Sequence, residues 1–379
     1  TNHKTKQTMN YKELKDSLRE VLSTQATSYE YTDTMNFLID KSIELGADDF
    51  EVDEHDNIYI TKGKADVYPC VVSHTDTVHD IYKGYQVYQV KGNFVAFDSD
   101  TMQQVGTGGD DKVGMWVCLE MLRKFDNIKV CFFAQEEIGC VGSSKAREDF
   151  FDDVGYAFEC DRKGSGDFVQ ESSGVKMFGD VFKKAIDSTL TTYGYKITTG
   201  GLTDVHEISQ IANIACANMS CGYYKPHTKQ EYVNIADAVN TCKMVGALIT
   251  KLGEVRYEHE AEDAYSSYSN WGNYSSYGSY GYSKYKSKPV KKITNTSKEF
   301  SSCDMCGAIS TDGCDFCTTD YKSELENDTL DMQNQGGAQS LGMSYSCSCG
   351  GTKKAFKDSE GEFLHCATCG MYIPSAIPF

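Results

Sequence analysis

Apolar positions recur through residues 11–252 at two spacings, and the two spacings alternate along the chain. In "YTDTMNFLIDKSIELG" (31–46) they return every three or four residues and stop at Gly46, which predicts an amphipathic helix ended by a glycine. "NIYITKG" (57–63) and "YPCVVSH" (68–74) are short apolar runs and read as strands. The order continues with a helix in "DKVGMWVCLEMLRKF", a buried strand in "IKVCFFA", another strand in "VGYAFEC", and helices in "FGDVFKKAIDSTLTTYGY" and "IADAVNTCKMVGALITKLG". Buried strands alternating with helices predict an α/β fold, a mixed central sheet with helices on its faces. In such sheets reactive side chains collect where strands end.

The pattern breaks after Glu262. "AYSSYSNWGNYSSYGSYGYSKYKSK" is Tyr, Ser and Gly with no helical or strand period, the composition of a flexible linker. The chain therefore divides into an α/β domain at 1–262, a linker at 263–299 that turns basic in "KYKSKPVKK", and a cysteine-rich tail at 300–379. The basic stretch reads as a solvated linker, with an anionic partner as the lesser alternative. A length of 379 residues suits one large domain plus appendages.

A formal net charge of -18 argues against nonspecific attraction to nucleic acid or to an anionic membrane. No apolar run reaches the length of about 18 residues needed to span a bilayer. The first residues are polar and then amphipathic, without the apolar core of a secretory signal, so a cytoplasmic location is expected. Of the 16 cysteines, those from Cys70 to Cys242 lie mostly in apolar segments, where a thiol behaves as a small buried hydrophobe. The remainder fall in close pairs after residue 300, and in a reducing compartment such pairs read as metal knuckles.

Histidines and acids mark the predicted strand ends. "VVSHTDTVHD" closes a strand on His74 and Asp76, which period-2 alternation turns to one side; the carboxylate either orients the imidazole through its second nitrogen or reaches a metal itself. "GTGGDDKVGMW" sets Asp110 and Asp111 between glycines and a helix start. An aspartate N-cap accounts for one of them, and a Gly-rich turn also suits a carboxylate shared by two ions. "FFAQEEIGCVGSS" puts Glu136 and Glu137 side by side where a buried strand stops, either as a charged strand end or as two groups with different tasks. "YAFECDRKGSGD" ends a strand with Glu159 and Asp161 on one side, and "NMSCGYYKPHTKQEYV" brings His227 into a loop.

In this order "SHTDTV", "GTGGDDKVG", "AQEEIGCVGS", "ECDRKG", "GGLTDV" and "GYYKPHT" resemble the co-catalytic dizinc exopeptidases, the clan of peptidase T, the aminoacylase-like deacylases and the bacterial zinc aminopeptidases, and peptidase T-like sequences above all. The resemblance covers roughly residues 11–252. It implies two catalytic zinc ions, His74 and Asp161 on one, His227 and Glu137 on the other, and Asp110 bridging them, with Asp76 behind His74 and the Asp110–Asp111 peptide bond cis. It implies that Glu136 is the general base, taking a proton from a water between the ions and delivering it to the departing amine. Asp111 and Asp204 become candidates behind the ligands; His206, Tyr223 and Tyr224 become candidates for an oxyanion or a substrate terminus. Many peptidase T-like enzymes carry a second domain, used in dimerisation and substrate contact, between the positions of Asp161 and "GGLTDV". Here about forty residues separate them, enough for the 178–195 helix and little more, so neither specificity nor dimerisation carries over.

The tail offers Cys303, Cys306, Cys314 and Cys317, then Cys347, Cys349, Cys366 and Cys369. Four thiolates make a closed structural zinc site, so two structural zinc ions are expected; the second group resembles a zinc ribbon and the first a shorter one. Redox-active thiols are the lesser alternative, and the two groups are free to exchange pairs. Acidic residues in "DYKSELENDTLDMQ" favour a protein partner for the tail over nucleic acid. The expected activity is a zinc-dependent aminopeptidase or dipeptidase acting on peptides. Its near rival is an N-acyl amino acid amidohydrolase. The rival from another class is a binding scaffold acting through the tail.

Overall fold

The computed structural model describes residues 10–259 and several short strands beyond residue 300. Helix α1 (Tyr11–Leu22) begins with a reciprocal cap: Asn10 Oδ1 accepts the Glu13 N–H and the Glu13 carboxylate accepts the Asn10 N–H. There follow α2 (Thr32–Glu44), β1 (Asp49–Val52), β2 (Ile58–Lys62), β3 (Tyr68–His74), β4 (Tyr85–Val90), β5 (Asn93–Asp98), β6 (Gln103–Val105), α3 (Gly109–Lys124) and β7 (Ile128–Phe133). The second half holds β8 (Val154–Arg162), β9 (Asp167–Ser172), β10 (Val175–Lys176), α4 (Asp180–Tyr193), β11 (Lys196–Gly200), α5 (Asp204–Ala212), β12 (Ala215–Ser220), β13 (Tyr223–Tyr224), β14 (Tyr232–Asn234) and α6 (Ile235–Leu252).

The main sheet is mixed, in the order β1-β2-β7-β3-β8-β12-β9-β10, with β11 on β9. At its centre β7, β3, β8 and β12 run parallel, so their C-terminal ends share one edge. Alternation along these strands divides the core in two. Ile58, Ile60, Val71, Val130, Phe132, Tyr156 and Phe158 pack on the side of α1, α2, α3, α4 and α6. Tyr59, Cys70, Val72, Cys131, Phe133 and Ala157 face the side of α5, with its Val205 and Ile208. Both faces being covered, β3 and β7 are buried throughout, which is why they read as unbroken apolar runs. The cysteines from Cys70 to Cys242 are all free and buried, as expected of small apolar side chains.

Two features depart from the sequence expectation. The segment between Asp161 and Gly200 holds more than a helix: β9, β10 and β11 flank α4 and extend the main sheet. A second sheet, β13-β14-β5-β4 with β6 on β5, lies over the edge where the strand ends gather and carries the loop of His227 between β13 and β14.

In the tail, strands Gln339–Ser346, Thr352–Lys357, Glu362–Cys366 and Tyr372–Pro374 pair antiparallel in sequence order. The linker at 263–299, Cys303, Cys306, Cys314, Cys317, Cys347, Cys349 and Cys369, and the thiol of Cys366, lie outside the described residues. Among the described residues no helix is long and apolar enough to cross a membrane.

Candidate metal centre

The four parallel strands deliver chemistry to their shared edge. β3 ends on His74, which is fully buried. Its Nδ1 lies 3.0 Å from the main-chain oxygen of Asp76; a carbonyl only accepts, so Nδ1 carries a proton and Nε2 is the ring atom that faces the cluster. The Asp76 carboxylate accepts the Ser28 hydroxyl at 2.6 Å and the Glu136 N–H at 3.0 Å, and stands 3.4 Å from His74 Nδ1. Burial opposes its charge, but His74, Ser28 and the Glu136 amide outweigh it and hold the Asp76 pKa below the ordinary range. Asp76 therefore orients the imidazole from behind and does not itself enter the cluster.

The Gly-rich turn after β6 places Asp110 and Asp111 in non-helical conformations before the regular part of α3, joined by a cis peptide bond. The two carboxylates diverge. Asp110 Oδ1 is 3.4 Å from His74 Nε2, and its Oδ2 is 3.3 Å from His227 Nε2. Asp111 Oδ1 accepts the Gly114 N–H at 3.0 Å, as an N-cap would, and Oδ2 accepts the His74 N–H at 3.3 Å. Asp111 also falls within metal-binding reach of His74 and Asp161, but both its oxygens are already engaged by main-chain N–H groups.

After β7 the chain turns tightly, Gly139 and Cys140 donating their N–H groups to the Glu136 carbonyl. The adjacent glutamates part there. Glu137 Oε2 is 3.1 Å from His227 Nε2, while its Oε1 is buried with no hydrogen-bond partner. Glu136 Oε2 stands farther out, 3.9 Å from His74 Nε2, and its Oε1 accepts the Cys140 thiol at 3.4 Å. From β8, Asp161 Oδ1 lies 3.8 Å from His74 Nε2 and accepts the Tyr223 hydroxyl at 3.0 Å.

The electrostatics are those of a crowded acidic pocket. Burial, then the Asp110 charge, raises the Asp161 pKa to about 7, and burial chiefly raises Glu137 to about 8. Burial would also raise Asp110, but the two histidines facing its oxygens drive it well below the ordinary range. Burial alone would lower His74; Asp110, Asp161 and Asp76 raise it instead, and pairing with Asp110 raises His227 to about 9.

Divalent cations fit this donor set. Donors bound at about 2.0–2.1 Å to one tetrahedral ion stand about 3.3 Å apart, and the His74, His227, Asp110 and Glu137 spacings of 3.1 to 3.4 Å match that value. His74 Nε2 and Glu137 Oε1 are buried without a hydrogen-bond partner, a state that a cation relieves. His74, Asp110, Glu137 and Asp161 would hold the ions together with His227.

Of the remaining candidates, Tyr223 reaches the cluster through Asp161, whereas Tyr224 turns to Asp237 at 2.6 Å and stacks on Tyr232. Asp204 is fully buried at the start of α5; burial, then the Glu136 charge, raises its pKa well above the usual range. Glu159, beside Asp161 in sequence, caps α5 by accepting from Thr203 Oγ1 and from the Val205 N–H at 3.2 Å. His206 sits in the first turn of α5 with its Nδ1 buried and unpartnered, and His259 is an electrostatic neighbour. Sequence reasoning missed Glu231, which accepts two N–H groups of the Asp110 turn, and His79, which bonds to Glu231. Their signal was proximity alone: Glu231 shares the His227 loop, and His79 follows His74 within "SHTDTVH".

No protein-family model and no curated protein matches the chain. Among solved structures, aminopeptidase PepT from Bacillus cereus aligns with a TM-score of 0.55 at 16% identity, over 64% of this chain and 99% of that one. A tripeptidase from Staphylococcus aureus aligns with a TM-score of 0.53 at 16% identity, over 64% of this chain and 98% of that one. The chain has the aminopeptidase fold. The mixed sheet and flanking helices of that fold are those expected from the sequence.

Proposed function

We propose that the chain is a two-zinc exopeptidase, an aminopeptidase or dipeptidase, with His74 and Asp161 on one ion, His227 and Glu137 on the other, and Asp110 shared. The observation that carries this reading is the placement of the two Asp110 oxygens, 3.4 and 3.3 Å from two different histidines. The fold shared with an aminopeptidase and a tripeptidase supports a peptide substrate. When bound, the ions supply Lewis acidity, which acidifies water and polarises a carbonyl.

Glu136 is the general base. Its Oε2 faces the same cluster, 3.9 Å from His74 Nε2, and the residue is partly open to solvent. Its carboxylate takes a proton from the attacking water and returns it to the amine nitrogen as the C–N bond breaks. Asp76 supports it twice, by holding the His74 ring and by accepting the Glu136 N–H, so the base and a ligand share one anchor. Cytoplasmic catalysis belongs to residues 1–262, residues 263–299 serve as a linker, and the tail at 300–379, with two structural zinc ions on its eight cysteines, recruits a protein partner.

The test is hydrolysis of aminoacyl amides, dipeptides and N-acyl amino acids by zinc-loaded protein and by Glu136→Gln, with metal counted in both. Peptide turnover that falls about a hundredfold or more at unchanged metal content is expected. Cleavage of N-acyl amino acids alone makes the chain a deacylase. Bound zinc with no turnover on any of them favours the scaffold reading.

A further inference from the structure

The turn that carries Asp110 reads Gly106-Thr107-Gly108-Gly109 and has almost no side chain with which to hold itself. It is gripped from outside. Glu231, whose side chain is fully buried, accepts the Gly108 N–H at 2.7 Å through Oε2 and the Asp110 N–H at 3.2 Å through Oε1. His79 Nε2 stands 2.5 Å from the same Oε2. On the other side of the turn, Lys112 Nζ donates to the Thr107 carbonyl at 3.0 Å. The glycines make this grip possible: a Cβ at Gly106 would collide with the His79 ring, and Gly108 adopts a φ of 62°.

We propose that Glu231, held by His79, is a positioning residue that aims the Asp110 carboxylate at both histidines. The proposal rests on Asp110 being the ligand shared by two ions. Asp110's own N–H is one of the two groups that Glu231 holds, so a small rotation of the turn would swing the carboxylate, and metal ligation tolerates errors of only about 0.2 Å. Glu231 also belongs to the loop of His227, so one buried carboxylate sets the distance between two ligands on separate segments. Among the described residues no other side chain is seen to bond both Gly108 and Asp110 amides.

Glu231→Gln is nearly isosteric, yet its amide offers one oxygen where two are needed and points an N–H₂ group at a backbone N–H. The full chain and this variant would be stripped of metal and titrated with cobalt(II), reading visible absorption and affinity against a chromophoric chelator. Melting of the metal-free chains would be recorded alongside, and the tail is common to all of them. Expected are a metal-free melting temperature close to that of the parent, cobalt affinity at the visible-absorbing site weaker by about tenfold or more, and an altered spectrum. A purely structural role would lower the melting temperature and leave affinity and spectrum unmoved. His79→Phe, which removes the donor to Oε2, is expected to weaken cobalt in the same sense, and His79→Gln, which keeps an N–H donor, to restore most of it. Parental affinity and spectrum in Glu231→Gln, or in His79→Phe should the first variant fail to fold, would overturn the proposal. A parent chain showing no visible cobalt bands of histidine and carboxylate ligation would instead sink the two-ion reading, and the proposal with it.

Discussion

His74 and His227 present the same atom to the same carboxylate, and they are held in opposite ways. His74 ends a buried strand, its ring fixed through Nδ1 and its surroundings closed by Asp76 and Asp161. His227 sits in a loop with a φ of 60°, and its side chain is 54% exposed. One half of the centre is built into the sheet, and the other is laid over it from the second sheet. A ligand fixed by the fold gives up less freedom on binding than one on a loop, so the His74 half should bind more tightly and the His227 half should be the one that admits substrate.

The comparison can be broken most directly by alanine at each histidine. His74→Ala is expected to abolish turnover and to strip both positions, because it removes the buried ligand that the sheet fixes and leaves Asp110 only the exposed loop histidine as a partner. His227→Ala should abolish turnover while the His74 half still takes up metal, and equal metal loss in the two variants would refute the asymmetry. Asp76→Asn leaves all direct ligands in place but offers one acceptor oxygen where Ser28 and Glu136 use two. A loss of about tenfold to a hundredfold in affinity is expected on the His74 half alone, measured by chelator competition.

Without metal, the two halves should respond to pH in one direction. Glu137 and Asp161 are raised to about 8 and 7 chiefly by burial, so between the ordinary carboxylate range and those values the folded chain binds more protons than the unfolded one. His227, raised to about 9 by Asp110, adds stability that is complete below about 6.5 and lost as pH rises through 9. Thermal melts of metal-free protein should therefore fall from pH 5 to pH 9, and added zinc should flatten the slope; a flat profile without metal contradicts this. The smallest effect is expected from Ser28→Ala, which removes one hydroxyl donor to Asp76 and costs about 1.5 kcal/mol of stability by denaturant melt.

The strand half of the centre was also the more legible half in the sequence. β3, β7 and β8 announce themselves as apolar runs because both their faces are buried, and His74, Glu136 and Asp161 stand where those runs stop. The second sheet does not announce itself: it joins residues 93–98 to residues 232–234, a pairing that no local pattern marks. The short helix α5 hides in a stretch whose first turn is polar. Glu231 was illegible for a different reason. Two of its three partners are main-chain N–H groups, and a sequence names side chains, not the direction in which a peptide bond points.

The parallel strands have a second end. After α6 the chain returns to the start of β8 and β12, where the Tyr257 N–H bonds to the Gly155 carbonyl and Glu258 bridges to Ile214. Gly155 and Asp161 are six residues apart on one strand, about 20 Å. Residues 257–259 thus lie at the end of the sheet opposite the cluster. A change at Gly155 or Tyr257 would therefore reach the cluster only through the length of β8, so the two ends of one strand can be altered separately.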